Sequence, residues 1–264
     1  MDRAKQLRVA FLLGCLSFVG GFTIYFIIDD LLGISVNEMM EQTGLPLAAI
    51  ASLGGLQVAI LSFILAWIGL RLGQQIGLKA PLLHRLLYRN QDQAPPRFSI
   101  SWAVIGAMGA IIGSLLIMLL DRYLFLPFMA VPEVMQEPAE WWKGVLTIFY
   151  GGVVEEVQVR LFLMTLIAWV LIKLFHRHHT GMIPSVYYWV AIVTAATIFG
   201  LLHLPATEQA FGELTPLLVA RGIVLNSLLG IFFGYLFWKK GLEYAILSHM
   251  VADLCLHAVF VHFI

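Results

Sequence analysis

Three apolar stretches of the sequence carry side chains suited to acid–base chemistry. EEVQVR places Glu155, Glu156 and Arg160 between GGVV and LFLMTLIAWV, IFGLLHLP places His203 four residues after Phe199, and SHMVAD places His249 four residues before Asp253. Residues four apart share a helix face, so Glu156 is set to pair with Arg160. Glu155 is turned about 100° away and has no partner in its own helix. A lone carboxylate directed at a cavity can take a proton from water, imidazoles can relay a proton or donate to an oxyanion, and a carboxylate four residues away can orient an imidazole. Each run alone also fits a structural role, because ion clusters knit helices together in transporters and assemblies, and single histidines often sit at helix ends.

Taken together, Glu155, His203, His249 and Asp253 come from three separate apolar segments, and convergence explains them better than coincidence. Such a set can activate water and stabilise an oxyanion, the two needs of peptide hydrolysis. Two histidines and a carboxylate could also hold zinc, but the HExxH helix pattern of many zinc proteases is missing, so zinc is not favoured and no cofactor is expected.

The elements that must position these groups follow from composition. The chain of 264 residues is 60% hydrophobic and 12% charged, against roughly 45–50% and about 25% in soluble domains. Its implied solvent is lipid. A helix crossing the hydrocarbon needs about 20 mostly apolar residues, and seven segments meet this: Val9 to Ile28, Leu45 to Leu70, Ile100 to Leu120, Trp142 to Phe175, Pro184 to His203, Thr215 to Trp238, and Leu242 to Phe263. The expected fold is an all-α polytopic transmembrane bundle. The fourth segment, at 34 residues, would run ~51 Å as one helix. It must tilt, protrude or break, and a break at Gly151 and Gly152 would give eight spans. The chain reads as a single integral membrane domain, 1–264, without repeats or linkers. Residues 1–28 read as a retained first helix, since the apolar stretch is longer than a signal-peptide core and lacks a cleavage pattern. Cys15 and Cys255 lie in apolar runs and act as small hydrophobes.

Connection charges give an orientation. Arg3, Lys5 and Arg8 precede the first span, Arg71, Lys79, Arg85, Arg89 and Arg97 follow the second, Lys173 and Arg177 follow the fourth, and Lys239 and Lys240 follow the sixth. The alternate connections hold Asp29, Asp30, Glu38 and Glu41, then Glu133, Glu137 and Glu140 against Arg122 and Lys143, then Glu208 and Glu213. Basic loops stay cytoplasmic, so the N-terminus is expected in the cytoplasm. Residues 73–92 suit either an interfacial amphipathic helix or an ordinary basic loop, and Pro127, Pro132 and Pro138 predict an extended or turned segment over 124–141. With 16 basic and 16 acidic residues the chain has no net field to attract nucleic acid. Membrane lipid is the expected partner, and no oligomeric state is set.

At this point the motifs resemble a known family. EEVQVR is similar to EExxxR, FGLLH to FxxxH, and HMVAD to HxxxN or HxxxD, the three motifs of the CAAX protease and bacteriocin-processing family, in family order on separate predicted helices. The resemblance implies an intramembrane endopeptidase with a protease core over about 142–263, acting on a membrane-associated protein or peptide in a bacterial cytoplasmic membrane. It implies that Glu155 activates water with help from His203, that His249 and Asp253 line the oxyanion side, and that Glu156 and Arg160 support the site, with no metal required. The competing reading is a non-enzymatic scaffold or immunity protein that keeps the motifs as a polar core. Asp253 stands where the prenyl endopeptidases have asparagine. Asparagine can donate to an oxyanion and ionised aspartate cannot, so Asp253 is either protonated or serves only to orient His249.

Depth tests the convergence. Counted by helical rise, Glu155 lies ~27 Å from Lys173 and His203 is similarly deep, but His249 lies only ~12 Å from Gly241. A shared site therefore requires tilt or a deeper start to the seventh span. Of the remaining histidines, His176, His178, His179, His257 and His262, the one that continues the face of His249 and Asp253 is His257.

Overall fold

The computed structural model describes residues 3–29, 34–87, 98–130, 140–176 and 181–263, and those residues form helices with no strand among them. Seven helices are long and apolar enough to cross a membrane: Arg3–Phe26, Leu47–Ile76, Ile100–Phe128, Trp141–Phe175, Ser185–Phe211, Pro216–Lys240 and Leu242–Val259. The first two extend past the expected bounds, to Arg3 and Ile76, because helical hydrogen bonding continues into the polar turns at the membrane edge. Outward-facing Leu53, Leu56, Ile60 and Ile64 repeat at three and four residues along the second span, which leaves an apolar stripe for lipid.

Between helices in lipid, close packing substitutes for the hydrophobic effect, and small residues permit it. Gly14 and Gly21 of the first span meet Phe63 and Val58 of the second, while Gly230 and Gly234 of the sixth meet Ala196 and Ile192 of the fifth. At Gly69 an added Cβ would run into the backbone carbonyl of Leu161 in the fourth span. Backbone cannot step aside as a flexible side chain can, so Gly69→Ala is expected to destabilise the bundle by about 1–3 kcal/mol. Thermal unfolding in detergent checks this, and an unchanged midpoint would refute the tight contact.

The fourth and seventh spans are the most enclosed, with 44% and 56% of their apolar windows buried. The fourth does not break at its glycines. It runs as an α-helix over Trp141–Phe149, widens to π-type turns over Tyr150–Met164 and returns to α over Thr165–Phe175. Gly151 and Gly152 are instead points of close approach, where a Cβ would strike the Asp253 carboxyl and the Met250 side chain of the seventh span.

The seventh span follows the sixth with one intervening residue, Gly241, held at φ 115°. The Leu242 amide donates to the Lys79 carbonyl at 3.2 Å, and the Leu83 amide donates to Glu243 Oε1 at 2.7 Å. The short helix Pro81–Leu87 thereby covers the start of the seventh span, and Leu242 and Glu243 are buried. The seventh helix thus begins covered by the chain that follows the second span. Among the described residues of the basic 73–92 segment, Pro81–Leu87 is the one helix beyond the second span, and 88–97, with Arg89 and Arg97, lies outside them. Pro127 sits in a single 3₁₀ turn, Leu126–Phe128, whereas Pro132, Pro138, Glu133 and Glu137, together with Asp30, Arg177, His178 and His179, lie outside them.

Candidate active site

Glu155 stands between two imidazoles. Its Oε1 is 3.9 Å from His203 Nε2 and its Oε2 is 3.7 Å from His249 Nε2. The widened turns explain how one helix presents both glutamates to the same ring. In a π-type helix each residue rotates the chain by less than the 100° assumed from α geometry. Glu155 and Glu156 therefore diverge less than expected, and Glu156 Oε1 receives His249 Nδ1 at 2.7 Å while Glu155 faces the other nitrogen.

Glu156 and Arg160 do form the predicted pair, at 3.1 Å with both side chains buried. The same Oε1 serves Arg160 and His249, a link between helices 93 residues apart that spacing within one helix could not signal. The Arg160 guanidinium also lies over the rings of Phe199 and Phe233, at 5.0 and 5.4 Å, so aromatic faces meet the side of the cation that lacks a carboxylate. Phe233 in turn stacks on His249 with centroids 4.5 Å apart.

His203 terminates the helix Ser185–Leu202. Its Nδ1 lies 2.8 Å from the Phe199 carbonyl, which can only accept, so Nδ1 carries a proton. In the neutral ring Nε2 is then an acceptor, aimed at Glu155. About a third of the His203 side chain and a fifth of that of Glu155 are exposed, whereas His249 and Asp253 are buried.

Asp253 places Oδ1 3.5 Å from His249 Nε2 and lays Oδ2 against Gly151, without a hydrogen-bond partner there. The short contact to His249 comes from Glu156 rather than from Asp253, so the imidazole is oriented chiefly from the fourth span.

A cavity of about 610 Å³ joins these groups, within the range of small-ligand sites, and all seven spans line it. His257 reaches its wall, as do Tyr25, Tyr150, Gln158 and Asn226. The last four are uncharged and cost little in a helix, so hydropathy gave no sign of them. Among the described residues no three His, Cys, Asp or Glu side chains form a group arranged to hold a metal ion.

These features define an integral multi-pass helical membrane protein with a polar cluster enclosed among its spans. Residues 137–255 match the family described as type II CAAX prenyl endopeptidase Rce1-like, and this part of the chain is a domain of that protease family. The match runs from just before the fourth span to two residues beyond Asp253, so it contains all three motifs. Membership implies a protein substrate. No curated protein and no solved structure matches the chain.

Proposed function

We propose that the chain is an intramembrane endopeptidase that hydrolyses a peptide bond of a membrane-associated protein or peptide with water activated by Glu155. The observation that carries this reading is the position of the Glu155 carboxylate, less than 4 Å from the Nε2 atoms of both His203 and His249. Water placed between Glu155 and His203 would give one hydrogen to each acceptor and turn its lone pair to a substrate carbonyl. As the oxygen attacks, Glu155 takes a proton and later passes it to the leaving amine as the C–N bond breaks.

On the opposite side of the carbonyl, His249 holds Nδ1 against Glu156 and turns Nε2 toward the cavity. An imidazolium there donates from Nε2 to the developing oxyanion. Asp253 completes this wall in the protonated form, which keeps a donor available and fits a carboxyl packed on a glycine. Asp253→Asn preserves shape and donor, so it is expected to keep at least about a tenth of wild-type turnover, while Asp253→Leu loses about 10²-fold or more. Equal losses in the two variants would remove the donor role.

The deciding experiment is cleavage of a panel of membrane peptides by purified protein. His203→Ala is expected to lower turnover by about 10²-fold, the lower end for a positioned acid–base group. Chelator is expected to leave the wild type unchanged, and chelator-sensitive activity restored by zinc would replace this mechanism with a metal one. Absence of cleavage across the panel would favour the non-enzymatic scaffold.

A further inference from the structure

We propose that the cavity opens on the extracytoplasmic side of the membrane, so that the substrate is a translocated or exported segment rather than a tail arriving from the cytoplasm. This assignment of substrate class rests on the protease reading above, but the direction of the opening does not.

Successive spans run in opposite directions, and the cavity extends from the middle of the bundle, at Leu229, Phe233 and His249, toward one set of their ends. Tyr25, His203 and Leu256 come from the C-terminal halves of the first, fifth and seventh spans, and Val58, Tyr150 and Asn226 come from the N-terminal halves of the second, fourth and sixth. All of these lie toward the face that bears the connections after the first, third and fifth spans. On that face stand Asp29, Glu38, Glu41, Glu140, Glu208 and Glu213. Its basic residues are Arg122, Lys143 and Arg221, and Arg221 is held by Asp121 through two bonds of 2.6 Å.

The opposite face is basic. Among the described residues past the first span, it bears Arg71, Lys79, Arg85, Lys173, Lys239 and Lys240 at span ends and connections. Basic residues close to span ends remain in the cytoplasm, and carboxylates contribute little to that choice. A second, polar recess of about 420 Å³, lined by Arg3, Gln6, Arg71, Gln74 and Gln75, lies on this basic face. Beside it Arg71 covers Trp67 and Lys173 covers Trp169, the pairing of cation and indole expected at a headgroup boundary. The two faces are thus distinct, and the catalytic cavity belongs to the acidic, extracytoplasmic one. Glu208 and Glu213, a short distance along the chain from His203, disfavour an acidic peptide and favour a neutral or basic one.

Single cysteines in a Cys15→Ala, Cys255→Ala background test the opening without reference to catalysis. Glu41→Cys marks the acidic face, Ala206→Cys the cavity wall, and Gln75→Cys and Lys239→Cys the basic face. Bacterial cells expressing each variant are treated with a membrane-impermeant maleimide, intact or permeabilised. Glu41→Cys and Ala206→Cys are expected to label fully in intact cells, and the two basic-face variants only after permeabilisation. The reverse pattern overturns the proposal, and so does labelling of Glu41→Cys with Ala206→Cys protected in intact cells. Cleavage assays on His203 and Glu155 variants decide the catalytic reading separately, so failure of one is not mistaken for failure of the other.

Discussion

Glu155→Gln is expected to reduce turnover by about 10²–10⁴-fold, the range for loss of a positioned general base, and to leave the fold intact. The substitution keeps the shape of the side chain and removes only its capacity to accept and return a proton. It is tolerated structurally because Glu155 is the one motif carboxylate that is partly exposed and has no short bond: its nearest imidazole nitrogens are 3.7 and 3.9 Å away. Single-turnover cleavage of one membrane peptide, with a melting curve for each protein, separates the two effects. A Gln variant that cleaves at the wild-type rate removes Glu155 as the base, and a variant that is inactive because it melts far earlier assigns it a structural role instead. The protonated His203 Nδ1 sharpens the expectation, since Nε2 is then an acceptor that can hold water beside Glu155 but cannot replace it as the stronger base.

The seven spans were legible in the sequence because lipid imposes a length of about 20 apolar residues that few soluble segments reach. Their ends were less so, since hydropathy sees only the part of a helix within hydrocarbon, and Arg3 to Arg8 and Arg71 to Ile76 lie beyond it. The charged site residues stood out for the same reason that they are costly: Glu155, Glu156, Arg160 and Asp253 have no place in lipid without a partner or a task. Their neighbours Gln158, Asn226, Tyr25 and Tyr150 bear no such cost and stayed hidden. The glycines after Tyr150 were visible, but a kink and a close approach both demand glycine, and only the seventh span lying on Gly151 distinguishes them. Least legible was the bond from Glu156 to His249. Local periodicity reports neighbours within a helix, and it named Arg160 as the partner while missing the imidazole from 93 residues away.

That bond makes Arg160 the position where fold and chemistry are most tightly joined. Arg160→Met keeps an unbranched apolar stem against Phe199 and Phe233 but strands the Glu156 carboxylate, buried and left with His249 alone. Removing one member of a buried pair costs about 3–5 kcal/mol, because the remaining charge loses its counterion without regaining water. The expected result is a large fall in the melting temperature in detergent together with loss of cleavage. Adding Glu156→Gln removes the stranded charge, and the double variant is expected to recover more than half of the lost stability. The amide introduced by Glu156→Gln still accepts from His249 Nδ1 but no longer offers a charge to balance an imidazolium, so turnover should remain low in the double variant even where the fold returns. A single Arg160→Met variant as stable as the wild type would show that the aromatic faces, rather than the carboxylate, hold this side chain. Recovery of turnover along with stability would show that Glu156 supports the helices without tuning His249.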